Sequence, residues 1–304
     1  MKVAITGSSG FIGSVTCRSL AKLGHEVVAL VRETSRRAHI EDVVDRFVVG
    51  DQADVDVQKA LIEGCDAVIH NSVNWSARDQ SPANHFRSNV LGSLDLLENC
   101  RQAGVRQFIF VSSVAALTQI LPEWNGQITE DHPTYPSSTY GAYKAAVEPH
   151  LKAYHLGFGM NTSAWRPAAV YGVDPELERS QWYNLVKDVI DGRKVDTPRG
   201  GKITHVQDVA DALALAVGDE QVAGEFFNLV DGYLYWQLPA EFAAEITGSK
   251  VQIVDRRGSG PKNQFDCAKA IAFFNRHGNG LALRRGPEGV RKYVQQLVEA
   301  INRA

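Results

Sequence analysis

The chain is poor in the residues that would build a covalent or metal-held framework. Its 304 residues include four cysteines, Cys17, Cys65, Cys100 and Cys267. They lie too far apart for a metal-ligand pairing, and they lack the dense spacing of a disulfide scaffold. They are expected to stay reduced, as in a cytoplasmic protein with no metal site. No apolar run approaches the roughly 20 residues that span a bilayer. The first residues already read as a strand, so no signal or transit peptide is expected. Neither charge dominates: 32 Lys+Arg against 35 Asp+Glu leave a formal net charge of −3. That balance gives no general attraction to nucleic acid or to an anionic membrane. The pairs Arg36-Arg37, Arg256-Arg257 and Arg284-Arg285 read as solvated surface. Internal repeats and low-complexity linkers are missing as well. What remains, 44% hydrophobic and 22% charged, is ordinary for a soluble globular protein.

Against these absences stands a glycine turn. Met1-Lys-Val-Ala-Ile-Thr-Gly-Ser-Ser-Gly-Phe-Ile-Gly13 runs a short buried strand into a helix whose apolar face carries Phe11, Ile12, Val15, Leu20 and Leu23. Gly7 permits the tight turn, Gly10 lets backbone approach a pyrophosphate, and Gly13 lets helix and strand pack closely. The N–H groups at the helix start, with the helix dipole, hold the phosphate charge. The spacing is Gly-x-x-Gly-x-x-Gly, one residue longer than Gly-x-Gly-x-x-Gly. A second strand at Glu26–Val31 lies at the distance a dinucleotide-binding unit requires.

Strand and helix signals then alternate. Strands are expected at Lys2–Thr6, Glu26–Val31, Phe47–Val49, Ala67–His70, Gln107–Ser112 and Asn161–Trp165. Helices are expected at Phe11–Leu23, Asp54–Glu63, Ala83–Ala103 and Thr139–Leu156. This alternation predicts a Rossmann-type doubly wound parallel sheet covered on both faces. After Pro167 the pattern loosens. Helices are read at Gln181–Asp191, Val206–Val217, Leu238–Thr247, Asp266–Asn275 and Pro287–Ile301, with short strands at Phe226–Leu229 and Val251–Val254. The expected division is a Rossmann domain at 1–170 and a smaller α/β substrate lobe at 171–304, with 206–229 returning to the first.

A second motif, Tyr140-Gly-Ala-Tyr-Lys144, follows the strand that ends in Ser112-Ser113. In this order the motifs describe a nicotinamide-dependent enzyme with a tyrosine acid/base. They also give the chain its likeness: it resembles the extended short-chain dehydrogenase/reductase family, also called the NAD-dependent epimerase/dehydratase family. Thr6–Gly13 is similar to that family's cofactor turn, which implies contacts from Gly7, Gly10, Phe11, Ile12 and Gly13. Asp51 and Gln52 fall where the family meets adenine, and Asn71 and Ser72 where a strand end meets the nicotinamide-side ribose. Asn89-Val90-Leu91-Gly92 resembles a helix motif. Trp165-Arg166-Pro167-Ala-Ala-Val170-Tyr171-Gly172 resembles the strand leading into the substrate lobe, with Pro167 and Val170 near the cofactor. His205-Val206-Gln207-Asp208 resembles the helix start that follows.

The resemblance implies a catalytic set of Ser113, Tyr140 and Lys144. Residues four apart on a helix share a face, so Tyr140 and Lys144 can address one nicotinamide. A free phenol titrates near pH ~10, and a neighbouring ammonium favours its ionised form. Ser113 would donate to the substrate oxygen, and Lys144 would also bond the ribose. Ser112 competes with Ser113, and the later hydroxyl is preferred on the family's pattern. Tyr143 and Tyr154 are read as packing or pocket residues, and His70 and His205 as structural. Asn74, Trp75, Tyr171 and Arg257 are expected to meet substrate, with Ser113. Trp75, Trp182, Tyr183 and Trp236 could line an apolar pocket, with core packing the expected role of any one of them.

The family pattern is broken in places. NAD-specific members carry an acid at the end of the second strand, where this chain has Arg32, with Arg36 and Arg37 close behind. A guanidinium suits the 2′-phosphate of NADP, so NADP is expected ahead of NAD, although Glu33 could still reach a ribose diol. The Asp-Glu pair of the sugar dehydratases is replaced by Val114-Ala115-Ala116, which disfavours dehydration. The segment between Gly172 and His205 is short, and no arginine stands directly before Thr204. The expected activity is hydride transfer between a nicotinamide and a carbonyl or hydroxyl carbon of a small, sugar-like or acidic substrate. A nucleotide-sugar epimerase using the same residues is the alternative, and a non-catalytic redox sensor is the third. A homodimer is expected through Ala83–Ala103 and Thr139–Leu156.

Overall fold

A computed structural model describes residues 1–118, 121, 124, 126–260, 264–280 and 282–304. Seven parallel strands form the main sheet: β1 (Lys2–Thr6), β2 (Glu26–Val31), β3 (Arg46–Val49), β4 (Ala67–His70), β5 (Gln107–Val111), β7 (Asn161–Pro167) and β10 (Phe226–Leu229). Their spatial order is β3-β2-β1-β4-β5-β7-β10. β6 (Gln127–Ile128), outside this sheet, pairs with β12 (Gln264–Phe265). The strand order reverses between β1 and β4, so the C-terminal ends of those strands open a crevice at the switch point, where α/β sheets bind ligands. Every residue of β4, β5 and β7 is buried. Strands covered on both faces need apolar residues on both, as β4 and β5 show, whereas β7 buries Asn161, Thr162, Ser163 and Arg166 with hydrogen-bond partners.

One face of the sheet packs Val3, Ile5, Ile69, Ile109 and Trp165 against α1 (Phe11–Lys22), α8 (Val206–Leu215) and α10 (Ala268–Arg276). The other packs Ala4, Val28, Val68, Phe108 and Phe110 under α2 (Val55–Ile62), α5 (Gly92–Gln102) and α6 (Thr139–Phe158). A third core joins Tyr171, Ile203 and Leu234 to α7 (Tyr183–Ile190), α9 (Gln237–Thr247) and α11 (Gly286–Arg303). Its small sheet has the order β11 (Gly232–Tyr235), β9 (Gly200–His205), β8 (Ala169–Tyr171). After β11 and α9 the chain crosses back, and Phe273 and Phe274 of α10 enter the Rossmann-side core beside Trp165 and Phe227. Among the described residues, no helix is long and apolar enough to cross a membrane.

Two expected elements take a different form. The long helix at Ala83–Ala103 is split into α4 (Pro82–His85), a π-helical turn at Phe86–Leu91, and α5. The turn widens at Asn89, whose amide donates to the Asn74 carbonyl at 3.1 Å and whose Oδ1 accepts from the Asn74 N–H at 2.7 Å. The strand expected at Val251–Val254 is a single bridge between Val195 and Ile253. β8, β9, β11 and α3 (Trp75–Gln80) carry no periodic signal, and β9 opens on Gly200-Gly201.

Candidate active site

The cofactor turn is shaped by what its glycines omit. Gly7 has φ +67°, and a Cβ there would stand 2.9 Å from the Ser72 backbone. A Cβ on Gly13 would fall 2.0 Å from the Gly7 carbonyl oxygen. Those distances seat β1, β4 and α1 against one another. Gly10 caps α1 without a capping side chain, and the helix has no acid in its first turn. The N–H groups of Phe11, Ile12 and Gly13 therefore face the crevice free of competition, which suits an anionic pyrophosphate. At the adjoining strand end, Thr6 Oγ1 accepts from the N–H groups of Asn71 and Ser72, each at 3.1 Å. Ser72 Oγ donates to Gln52 Oε1, and the Gln52 amide reaches Asn89 Oδ1 at 3.3 Å. Asp51 is exposed and accepts from the Ala53 N–H at 2.8 Å. Pro167 is buried at the end of β7, and Val170 is half-buried on β8.

At the end of β2, Arg32 and Arg36 are exposed, and among the described residues neither guanidinium has an ion-pair partner. Arg37 stands over the Phe47 ring and pairs loosely with Glu41 at 3.9 Å.

The second half of the site gathers at the C-terminal ends of β5 and β7. Tyr140 and Lys144 lie one turn apart at the start of α6, which Ser138 caps by accepting from the Gly141 N–H at 3.0 Å. The Ser113 hydroxyl faces the Tyr140 phenol; burial pushes that phenol's pKa up and the serine's influence pulls it down. Gly141 makes the approach possible, since a Cβ there would meet the Ala115 carbonyl oxygen at 2.3 Å. The Trp75 indole stacks on Tyr140 with ring centroids 5.0 Å apart, and the Arg78 guanidinium covers Trp75 at 4.8 Å. Lys144 is buried. Its Nζ donates to the Val111 carbonyl at 2.7 Å and lies 4.5 Å, 4.6 Å and 5.7 Å from the ring centroids of Tyr143, Phe110 and Tyr140. Burial lowers the lysine's pKa to about 7, and the Glu148 charge opposes that fall.

The two serines have different duties. Ser112 Oγ donates to Glu148 Oε1 at 2.6 Å, and that carboxylate also takes Arg166 Nε and Nη2, both at 2.8 Å. Ser113 is left to face Tyr140. Glu148 and Arg166 form a fully buried ion pair that the motifs did not reveal. Its signal was the four-residue spacing Tyr140, Lys144, Glu148, which puts the acid on the helix face of the Tyr140–Lys144 pair. Tyr143 is buried, donating to the Ser72 carbonyl at 3.5 Å beside Ser93, so it is a packing residue. Tyr154 ties α6 to α5 by donating to Glu98 at 2.8 Å.

Both singled-out histidines are structural. Ser93 donates to the Asn89 carbonyl, so it accepts from His70 Nε2 at 2.8 Å, while Thr6 Oγ1 lies 2.8 Å from Nδ1. Burial, then the Lys144 charge, lowers the His70 pKa to about 3. His205 Nδ1 caps α8 at the Gln207 N–H, and burial takes its pKa to about 4.

The expected substrate contacts separate. Trp75 stands at the mouth of the site, 48% exposed. Asn74 is engaged at both ends, capping α3 at the Ala77 N–H and donating to Ser88 Oγ at 3.0 Å. Tyr171 is fully buried among Trp182, His205 and Tyr293, which makes it a core residue and not a pocket wall. Trp182 is buried there too, Tyr183 packs on the same core, and Trp236 lies under Arg199. The Arg257 guanidinium is paired at the surface with Glu241 and, at 3.2 Å, with Asp255. Arg285 departs from its expected place in solvent: it clasps the buried Asp208 at 2.8 Å and 2.6 Å and fixes α8 to the start of α11.

With this geometry in hand, likeness to other proteins can be placed. A sequence profile of the NAD dependent epimerase/dehydratase family matches residues 3–229. The chain is 33% identical over 248 residues to the UDP-glucose 4-epimerase of Mycolicibacterium smegmatis, covering 76% of this chain and 78% of that protein. It is 29% identical over 238 residues to the 4-hydroxy-2-methyl-3-oxo-4-farnesyl-3,4-dihydroquinoline-1-oxide ketoreductase of Stigmatella aurantiaca, covering 76% and 69%. The solved UDP-glucose 4-epimerase of Thermus thermophilus, in complex with NAD, superposes with a TM-score of 0.78 at 27% identity, covering 99% of this chain and all of that one.

Proposed function

The chain belongs to the NAD dependent epimerase/dehydratase family, and from that membership we propose that it is an NADP-preferring carbonyl reductase or alcohol dehydrogenase acting on a small molecule without a nucleotide handle. The observation that carries the reading is Tyr140 facing Ser113 at the start of α6, with the Lys144 ammonium buried one turn on, 5.7 Å from the Tyr140 ring centroid. The residues of the glycine turn, with Asp51, Gln52, Asn71, Ser72, Pro167 and Val170, would hold the dinucleotide, and a bound nicotinamide supplies or accepts the hydride. The chain's own residues handle the proton. In reduction, Tyr140 Oη gives its proton to the carbonyl oxygen while Ser113 Oγ donates a hydrogen bond to the same atom as negative charge grows there. The Lys144 ammonium stabilises the phenolate that remains. In oxidation the same atoms work in reverse.

NADP preference rests on the unpaired guanidiniums of Arg32 and Arg36 at the adenosine end. The absence of a nucleotide handle rests on charge. A diphosphate needs basic groups or backbone donors in its pocket, and Arg257 is already matched by two carboxylates. A second reading, nucleotide-sugar epimerase, is favoured by the relatives of that name. It would use the same serine, tyrosine and lysine without net consumption of cofactor.

Spectroscopy separates the two. Consumption of the reduced-nicotinamide absorbance with a panel of free carbonyls is the expected result. Interconversion of UDP-sugars with no net absorbance change, together with tight UDP binding, would replace the reductase by the epimerase. In either case Tyr140→Phe should lower turnover by about two to four orders of magnitude and leave dinucleotide binding nearly intact. Near-normal turnover in a folded variant would remove Tyr140 from its role.

A further inference from the structure

We propose that Glu148 is a positioning residue: clasped by Arg166 and Ser112 one helical turn beyond Lys144, its carboxylate sets the charge of Lys144 and through it the state of Tyr140. The inference rests on the reading of Tyr140 and Lys144 as the catalytic pair.

The geometry argues it. Three segments bring the proposed reacting groups together: the end of β5 brings Ser113, α6 brings Tyr140 and Lys144, and the end of β7 brings Pro167. Each contributes one further residue to a single buried node. Ser112 adjoins Ser113, Glu148 lies one turn beyond Lys144, and Arg166 adjoins Pro167. Glu148 and Arg166 side chains are 1% and 2% exposed. The carboxylate takes three hydrogen bonds, from Arg166 Nε and Nη2 and from Ser112 Oγ. Arg166 Nη1 donates its remaining bond to the Glu130 carbonyl at 3.2 Å.

An ion pair so placed contributes little net stability, because desolvation of both partners offsets their attraction. Its effect on a third charge is larger. Lys144 is itself buried, and among the described residues its Nζ has one hydrogen-bond acceptor, the Val111 carbonyl. The rings of Phe110 on β5 and of Tyr140 and Tyr143 on its own helix lie against it; neutral His70 on β4 and the Glu148 charge, one helical turn on, interact with it electrostatically, and Arg166 is paired to that carboxylate. Glu148 supplies the one negative charge in that set. With it, two cations share one anion. Without it, two cations would share a dry site with none, and the lysine, the weaker cation, would shed its proton.

Opposite substitutions should therefore act with opposite sign. Glu148→Gln keeps an acceptor for Ser112 but removes the charge, and should lower the Lys144 pKa by about one unit or more. Arg166→Met leaves the carboxylate unopposed and should raise it. The double variant, which removes both charges, should lie close to the unaltered protein. The readout is the NMR titration of the lysine Cε, with the limb of the pH–rate profile that reports Tyr140 moving in step. A purely structural node would give losses of stability without opposite shifts. Folded single variants that leave the Lys144 titration unmoved, or move it in the same direction, would overturn the proposal. If only one single variant folds, its own sign decides. The two failures stay distinct: an active Tyr140→Phe variant sinks the catalytic reading, whereas an inactive one with an unmoved lysine sinks this inference alone.

Discussion

Arg32 occupies the end of β2, where a carboxylate would hold a ribose diol and repel a 2′-phosphate. It is exposed and, among the described residues, without an ion-pair partner, and so is Arg36. An unpaired guanidinium loses little by taking a phosphate, because no existing bond must first be broken. NADPH should therefore bind more tightly than NADH. Arg32→Asp should narrow or reverse the gap by removing one contact and adding repulsion. Calorimetric titration of both nucleotides against both proteins checks this, and tighter NADH binding by the unaltered protein would refute it. Single residues of the site were legible at very different depths. Tyr140 and Lys144 stand out by spacing, and Ser113 by its place after a strand. Glu148 is marked in the sequence only by its four-residue spacing from Lys144 and Arg166 by nothing, since no local feature distinguishes a solvated charge from one buried against a partner 18 residues away.

At the scale of the element, α6 places the site. It starts at the Ser138 cap and runs 20 residues, through Pro149, to the left-handed Gly159. Two of its glycines make opposite demands. Gly141 lies against the Ala115 carbonyl, whereas a Cβ on Gly157 would meet nothing within 4 Å. Gly157→Ala should stabilise the helix by up to about 1 kcal/mol. Gly141→Ala must push α6 away from the turn after Ser113. It should cost about 1–3 kcal/mol and, by parting Tyr140 from Ser113, lower turnover at least tenfold. Chemical denaturation and steady-state kinetics on both variants test the contrast. Equal effects would mean that the close approach does not set the catalytic distance. The neighbouring stretch, from the π-helical turn at Phe86–Leu91 into α5, shows a limit of pattern reading. Val90, Leu94 and Leu97 recur at helical spacing, and the structure turns this stripe inward, onto the core that also holds Phe108 and Leu151.

For the whole molecule, two buried bases tie stability to pH. His70 titrates at about 3 in place of 6.5, and Lys144 at about 7 in place of 10.5. In both the folded value is depressed, so the unfolded chain binds the extra proton between the two values. Stability must rise with pH across each interval, by at most about 1.4 kcal/mol per pH unit for each group. Buried thiols act oppositely above pH ~9, since burial lifts Cys17 and Cys267 to about 12. The informative window for the lysine is thus about pH 7 to 9. Urea midpoints should climb there in the unaltered protein and stay flat in Lys144→Met, which should also be the more stable of the two near pH 7. A flat profile in both would contradict the depressed lysine. Assembly belongs to this scale as well. Leu91, Leu156 and Phe158 remain 41%, 74% and 60% exposed at the ends of α5 and α6, apolar area that a second copy would cover. A sedimentation mass of twice 33.3 kDa is expected at micromolar concentration, and a single-chain mass would count against the dimer.

The sequence by itself determined the doubly wound sheet, its crevice and the tyrosine–lysine helix. These features are local: apolar runs of strand length, glycines wherever a Cβ would collide, and a four-residue spacing on one helix face. The π-helical turn at Phe86–Leu91, the strands of the small sheet, the return of α10 to the Rossmann-side core and the Ser112–Glu148–Arg166 node were decided by tertiary structure alone. Each depends on a partner far along the chain. Asn89 widens its turn to reach Asn74, β9 is a strand because β8 and β11 flank it, and Phe273 and Phe274 are core because Trp165 and Phe227 await them. Arg285 and Arg257 make the point in charge. Both look like surface arginines in the sequence, yet one clasps a buried aspartate and the other is paired with two acids, because burial and pairing are properties of a site and not of a residue.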